Sequence, residues 1–211
     1  MAILQEISEL LQKGSAKKVA ALVEQALADG IPAQEILDNA LLAGMDIIGE
    51  KFKNNEVYVP EVLLSARAMN MGAEVLKPHL SAEATTDKGT VILGTVKGDK
   101  HDIGKNLVRM MMEGKGLKVV DLGVDVDAAK FIEAAKENDA KVIACSALLT
   151  TTMGEMAEVV KKAEEEGIRD QVWIMVGGAP ITQEYCDKIG ADCYTSDAAS
   201  AADAALAHLT K

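Results

Sequence analysis

The chain has 211 residues, with 22 Lys and Arg against 33 Asp and Glu, for a net charge of −11. Apolar residues make up 49% and aromatics 3%, a composition that excludes disorder and fits one large or two small globular domains. The acid excess is shared, −5 over residues 1–85 and −6 over 86–211, so neither part offers the basic face that phosphate backbones reward. No nucleic-acid partner is expected.

Glu6 and Glu9 stand where a secretory signal needs basic residues. No run approaches the roughly 18 apolar residues of a membrane span, so no membrane partner is expected either. Cys145, Cys186 and Cys193 lack metal-like spacing, which predicts reduced thiols and a cytoplasmic location. Cys145 lies in the apolar run 141–146 and reads as a small buried strand residue rather than a nucleophile.

Residues 1–80 read as four amphipathic helices joined by short connections, the pattern of a small antiparallel bundle. Leu4, Ile7, Leu10 and Leu11 recur at helical spacing and stop at Gly14. Ser15 is placed to cap a second helix, lined by Val19, Leu22, Val23 and Leu27 and ending at Gly30. Pro32 opens a third at a first-turn position, with Ile36, Leu37, Leu41, Met45 and Ile48 as its stripe. The fourth begins near Pro60 and carries Val62, Leu63, Met69, Val75 and Leu76 before Pro78. Met45, Met69 and Met71 read as core filler.

The polar stretch 81–89 reads as a linker. Beyond it the rhythm changes to strand-helix alternation. Strands are expected at 90–96, 118–122, 141–146, 172–176 and 192–194, with helices starting near Asp102, Asp127, Thr151, Ile181 and Asp197. Such alternation needs a parallel sheet covered on both faces. The expected class is therefore α/β: an N-terminal four-helix bundle over 1–80, and a C-terminal flavodoxin-like (Rossmann-like) five-stranded parallel sheet domain over 90–211. In that fold ligands sit at the C-terminal ends of the strands.

The first strand ends in a glycine-rich turn, Gly94 to Asn106. It is not a P-loop, because five residues separate Gly98 from Gly104 and Asn106 replaces the magnesium-binding hydroxyl. The G-x-G-x-x-G pattern is absent too. What the turn carries is Asp99 two residues before His101, the pairing in which a carboxylate fixes the tautomer of a metal-ligating imidazole. His79 and His208 read as solvated surface residues. If His101 binds a metal, most of the coordination sphere must arrive with a cofactor.

Asp99-Lys-His101-Asp-Ile-Gly104, then 41 residues, Ser146-Ala-Leu148, then 28 residues and Gly177-Gly178, resembles the cobalamin-binding signature D-x-H-x-x-G…S-x-L…G-G. The helical half is similar to the cap domain of methionine synthase and of the corrinoid proteins of methylotrophic and O-demethylating methyltransferase systems. The resemblance covers nearly the whole chain. It implies cobalamin or a related corrinoid bound base-off and His-on, with His101 as the lower cobalt ligand and Asp99 accepting its other N–H. Thr152, six residues after Ser146, stands where the family extends this relay to a hydroxyl. Gly104 would leave room for the nucleotide tail, Ser146 and Leu148 would line its slot, and Gly177 and Gly178 would let backbone approach it. Asp102, Ile103 and Thr150 fall in the same cofactor-binding stretches. Tyr58-Val-Pro60 resembles a Phe-Leu-Pro element, making Tyr58 the candidate lid over the cobalt, with Ala68 and Met69 as further cap positions.

The activity implied is that of a carrier cycling between Co(I) and methyl-Co(III), with no catalytic residue on the isolated chain beyond the Asp99–Thr152 relay. Its implied partners are a substrate-specific methyltransferase, a second methyltransferase acting on a thiol or tetrahydropterin, and a reductive activase. Methanol, a methylamine, a betaine and a methoxylated aromatic all remain open as donors. Three other readings stand beside this one. They are an adenosylcobalamin mutase small subunit, a cobalamin-dependent sensor or regulator, and a flavodoxin-like module without cobalamin. The first would not ordinarily carry this cap, the second usually adds a basic DNA-binding domain, and the third leaves the signature unexplained.

Overall fold

The computed structural model describes residues 2–80 and 88–211. They form two compact units, one through residue 80 and one from residue 88, with the turn 114–116 grouped with the first. The expected linker, 81–89, lies outside the described residues except for Lys88 and Gly89.

The first unit is helical. Helix α1 (Ala2–Gln12) buries Leu4, Ile7 and Leu11, and α2 (Ala16–Ala28) buries Val19, Val23 and Ala26, each set on one helical face. Ser15 occupies the N-cap position of α2, yet its side chain makes no capping bond; its carbonyl instead accepts from Lys18 and Val19 N–H. Pro32 sits one position earlier than expected, as the N-cap of α3 (Ala33–Ile36). That helix runs on through a π-helical turn, Leu37–Leu42, into α4 (Ala43–Lys53). The wider turn buries three consecutive residues, Ala40, Leu41 and Leu42, which α-helical geometry does not put on one face. Helix α5 (Val59–Leu76) buries Val62, Ala66, Met69 and Leu76, whereas Leu63, expected in its stripe, is 42% exposed.

The second unit alternates strand and helix. In chain order it runs β1 (Thr90–Thr95), α6 (Ile103–Gly114), β2 (Lys118–Asp121), α7 (Ala128–Glu137) and β3 (Val142–Ser146). It continues with α8 (Gly154–Glu165), β4 (Trp173–Gly177), α9 (Gln183–Ile189), β5 (Cys193–Tyr194) and α10 (Ala198–Leu209). All strand pairs are parallel, in the order β2-β1-β3-β4-β5. Helix starts are set by side-chain caps: Asp127, Thr182 and Asp197 accept from the N–H of Ala129, Tyr185 and Ser200. Helix α8 begins three residues after the expected Thr151, which leaves Thr152 in the preceding loop.

Both faces of the sheet are covered, so every residue of β1 is buried. The Phe131 ring of α7 is fully buried and lies so close to Gly94 that a Cβ there would meet Phe131 Cζ at 2.8 Å. Cys145 is buried as expected, and burial pushes its thiol up to about 12, far from nucleophilic use. His208 departs from expectation: its ring stacks face to face on Trp173 at 4.4 Å. Among the described residues no helix is long and apolar enough to cross a membrane.

The sequence order reverses between β1 and β3, so the crevice of this fold opens between the loops that follow those two strands. Phe131 carries much of the packing behind them. Phe131→Ala should lower unfolding free energy by about 3–5 kcal/mol, read as a lower urea midpoint in the apo-protein.

Candidate cofactor site

The loop after β1 and the loop after β3 meet on one carboxylate. Asp99 is fully buried. Its Oδ1 accepts from the His101 backbone N–H at 3.0 Å and faces His101 Nδ1 at 2.7 Å. Its Oδ2 accepts from the backbone N–H of Leu148 at 2.8 Å and of Leu149 at 3.3 Å, and from the Thr152 hydroxyl at 2.8 Å. Burial alone would raise the Asp99 pKa. The donors from Leu148, His101 and Thr152 outweigh it and hold the carboxyl well below the usual carboxylate range.

The tautomer of His101 follows. An ionised carboxylate only accepts, so Nδ1 carries a proton, and in the neutral imidazole the lone pair is on Nε2. The imidazole is about half exposed, and Nε2 has no hydrogen-bond partner among the described residues. Thr95, at the end of β1, was not singled out in the sequence. Its buried hydroxyl donates to the His101 carbonyl at 2.9 Å and so fixes the backbone of His101 itself. Asp125, in the loop after β2, was also missed. It takes a left-handed backbone (φ 56°), accepts from Gly98 N–H at 2.7 Å and donates its own N–H to the Asp99 carbonyl at 2.8 Å.

The other expected residues gather at the same strand ends. In sheet register Ser146 stands between Thr95 and Gly177. Gly178 has φ 132°, and a Cβ there would fall 1.8 Å from the Ala147 carbonyl oxygen, so no other residue lets these two loops close up. Gly104 is the opposite case: nothing lies within 4 Å of where its Cβ would be, so a lane is open beside it. Asp102, Thr150 and Gly104 are all exposed. Asp102 accepts from the Asn106 side chain at 3.3 Å. Ile103 is 75% exposed, and Leu148 and Leu149 are 44% and 40%. With Val124 these are the large exposed apolar side chains of the second unit, and all four follow strand C-termini. The helical unit holds the remaining three. Tyr58 is exposed and its backbone N–H donates to Glu61 Oε2 at 2.6 Å, while Ala68 and Met69 are buried.

Among the described residues no group of three His, Cys, Asp or Glu could hold a metal ion. A metal held at His101 would have to bring the rest of its coordination sphere with a cofactor. The exposed apolar side chains of the loops around His101, and an open lane at Gly104, fit a flat, partly apolar macrocycle with a tail. The residues fit a corrinoid.

Comparison with known proteins points the same way. A family profile described as "B12 binding domain" matches residues 89–207, and another of the same description matches residues 3–77. The trimethylamine corrinoid protein 1 of Methanosarcina acetivorans is 48% identical over 181 residues, 85% of this chain and 84% of that protein. The dimethylamine corrinoid protein 3 of the same organism is 43% identical over 199 residues, covering 94% and 93%. Among solved structures, the methanol:cobalamin methyltransferase complex MtaBC of Methanosarcina barkeri contains a chain with a TM-score of 0.90 at 30% identity, covering 99% of this chain and 80% of that one.

The depressed Asp99 pKa has a thermodynamic consequence. A carboxyl that titrates lower folded than unfolded contributes stability that is fully present above its unfolded value of about 4, and is lost as pH falls through the folded value. Urea titrations of the apo-protein between pH 7 and pH 3 should therefore show an acid limb that is shallower in Asp99→Asn. Equal slopes would show that this carboxyl does not drive the acid loss.

Proposed function

We propose that this chain, which belongs to the family of corrinoid proteins built from B12-binding domains, is a methyl carrier working between two methyltransferases. The observation that carries the reading is a half-exposed imidazole held through Nδ1 by a buried, ionised Asp99, with Nε2 unpartnered among the described residues. Bound there, the corrinoid supplies a cobalt centre that takes a methyl group from one enzyme's substrate and yields it to another's acceptor. Every other part of the task falls to the chain.

His101 would hold the cobalt through Nε2, in the base-off, His-on mode. Asp99 keeps the proton on Nδ1, away from the ligating atom, and Thr152 and the Leu148 N–H hold Asp99 ionised. Ile103 and Leu149 line the apolar seat, with Asp102 and Thr150 on its rim. Gly104, Ser146, Leu148, Gly177 and Gly178 border the tail's path. Residues 1–80 form the cap, 81–89 the linker and 90–211 the cofactor domain, with Tyr58, Ala68 and Met69 assigned to the upper face. The site for the methyl donor belongs to the first methyltransferase. The second acts on a thiol or tetrahydropterin, and a reductive activase restores the carrier after adventitious oxidation.

We infer a methylamine as the donor class. Two relatives that support this are a trimethylamine and a dimethylamine corrinoid protein, at 48% and 43% identity. Incubating the reduced holo-protein with methyltransferases specific for mono-, di- or trimethylamine or for methanol tests it, followed by loss of Co(I) absorbance. Turnover with one of the amine enzymes is expected; turnover with the methanol enzyme alone would overturn the assignment.

Electron paramagnetic resonance of the Co(II) form tests the ligand. Wild type should show hyperfine splitting from one nitrogen that changes when histidine is labelled with ¹⁵N, and His101→Ala should lose it. Asp99→Asn should weaken it as well, because an amide N–H facing Nδ1 drives the imidazole proton to Nε2. An unchanged pattern in His101→Ala would rule out His101 as ligand.

A further inference from the structure

The span His101–Gly104 is thinly supported. Its side chains are exposed, the space beside Gly104 is open, and on one side it hangs from Asp99 and Thr95 at the end of β1. The next residue, Lys105, in the first turn of α6, is the opposite: it is 2% exposed. All three of its ammonium protons have acceptors, Asp121 Oδ1 at 2.7 Å, Asp121 Oδ2 at 2.6 Å and Asn106 Oδ1 at 2.8 Å. Asp121 ends β2, on the other side of β1 from Ser146. It also accepts from Gly123 N–H at 2.9 Å and from Arg109, one turn further along α6, at 3.2 Å.

A buried lysine is a costly way to fasten a helix. Apolar side chains of similar volume do it as well or better, so the ion pair needs a reason beyond stability. What apolar packing lacks is direction. A pair to both carboxylate oxygens at 2.6–2.7 Å fixes Lys105 within the first turn of α6, and the five residues 100–104 must span from there back to Asp99.

We propose that Lys105 is a positioning residue for His101: paired with Asp121, it anchors the far end of the span His101–Gly104 and so keeps Nε2 aimed at its ligand. This rests on the reading of His101 as the axial ligand. It predicts that loss of the pair lowers ligation by His101 more than it lowers stability.

The test uses full-length protein carrying ¹⁵N-histidine, reconstituted with cobalamin, with Lys105→Met, Asp121→Asn and Lys105→Arg beside wild type. The fraction of Co(II) signal showing histidine hyperfine should fall at least about fivefold in Lys105→Met and Asp121→Asn and recover in Lys105→Arg. The apo-protein's urea midpoint should stay close to wild type in Lys105→Met, which removes the buried charge, and fall in Asp121→Asn, which leaves that charge without its partner. In the apo-proteins, exchange of the His101 and Asn106 amides, held by the Asp99 carboxylate and the Asp102 carbonyl, should quicken by a similar factor. Full histidine hyperfine in both disrupting variants, or amide exchange unchanged from wild type, would overturn the proposal. A wild-type signal insensitive to the label would instead overturn the ligand assignment, and the apo-protein exchange would still decide whether Lys105 fixes the span.

Discussion

The Asp99 carboxylate is the constraint on which the site depends. Two loops 50 residues apart in sequence close on its two oxygens, one loop from β1 and one from β3. Each oxygen serves a different loop: Oδ1 takes both donors of His101, and Oδ2 takes the Leu148, Leu149 and Thr152 donors. A neutral side chain could not do this, since an amide has one acceptor oxygen and presents N–H groups on the other side. The same carboxylate therefore assembles the crevice and fixes which nitrogen of the neutral imidazole carries the proton.

Around that centre, burial and exposure are divided by task. Groups that set geometry are buried and fully partnered: Asp99, Thr95 and Thr152 on one flank, and Lys105 on the other. Groups that would meet a ligand are exposed and lightly held: His101, Ile103, Gly104, Leu148 and Leu149. A half-satisfied version would be worse than either, because a buried charge without partners costs several kcal/mol, on the order of a domain's whole stability margin. The fold makes this division cheap. Parallel strands end together along one edge, so loops from β1, β2 and β3 can share donors and acceptors without any strand leaving the sheet.

Much of this was legible in the sequence, and the limits have physical causes. The five strands lie within one residue of their expected bounds; for β1 to β4 this is because runs of four to six mainly apolar residues between turns have few other uses. His101 and Asp99 were legible from their spacing of two. Lys105 and Asp121 were not, since their pairing depends on β2 lying beside β1, and a lysine in a helix ordinarily reads as solvated. Thr95 escaped for a similar reason: a threonine at a strand end is common, and its acceptor is a backbone carbonyl that no sequence pattern marks. In the helical half Ile36, Leu41, Met45 and Ile48 are buried as the stripe expects, but the π-helical turn at Leu37–Leu42 adds Ala40 and Leu42, because burial of three consecutive residues has no place in a 3.6-residue repeat. The exposed Leu63 is the same limit from the other side, an apolar residue that the pattern counts as core.

Threonine and serine would both supply a hydroxyl at position 152, and the surroundings explain the threonine. A serine hydroxyl could reach Asp99 equally well, but it could also turn away. The Thr152 hydroxyl lies 2.8 Å from Asp99 Oδ2 and 3.1 Å from the Leu149 carbonyl, so two acceptors compete for one proton. Its methyl group settles the orientation. Cγ2 lies toward Gly98, 3.5 Å from where a Cβ on that glycine would stand, and β-branching leaves few χ1 alternatives for a side chain in the protein interior. Gly98 is itself pinned through its N–H to Asp125. The methyl thus packs beside the very loop that carries Asp99, and the hydroxyl is held against the carboxylate. Threonine keeps the hydrogen bond of serine and restricts its rotamer, which suits a relay whose use depends on an ionised, stationary Asp99.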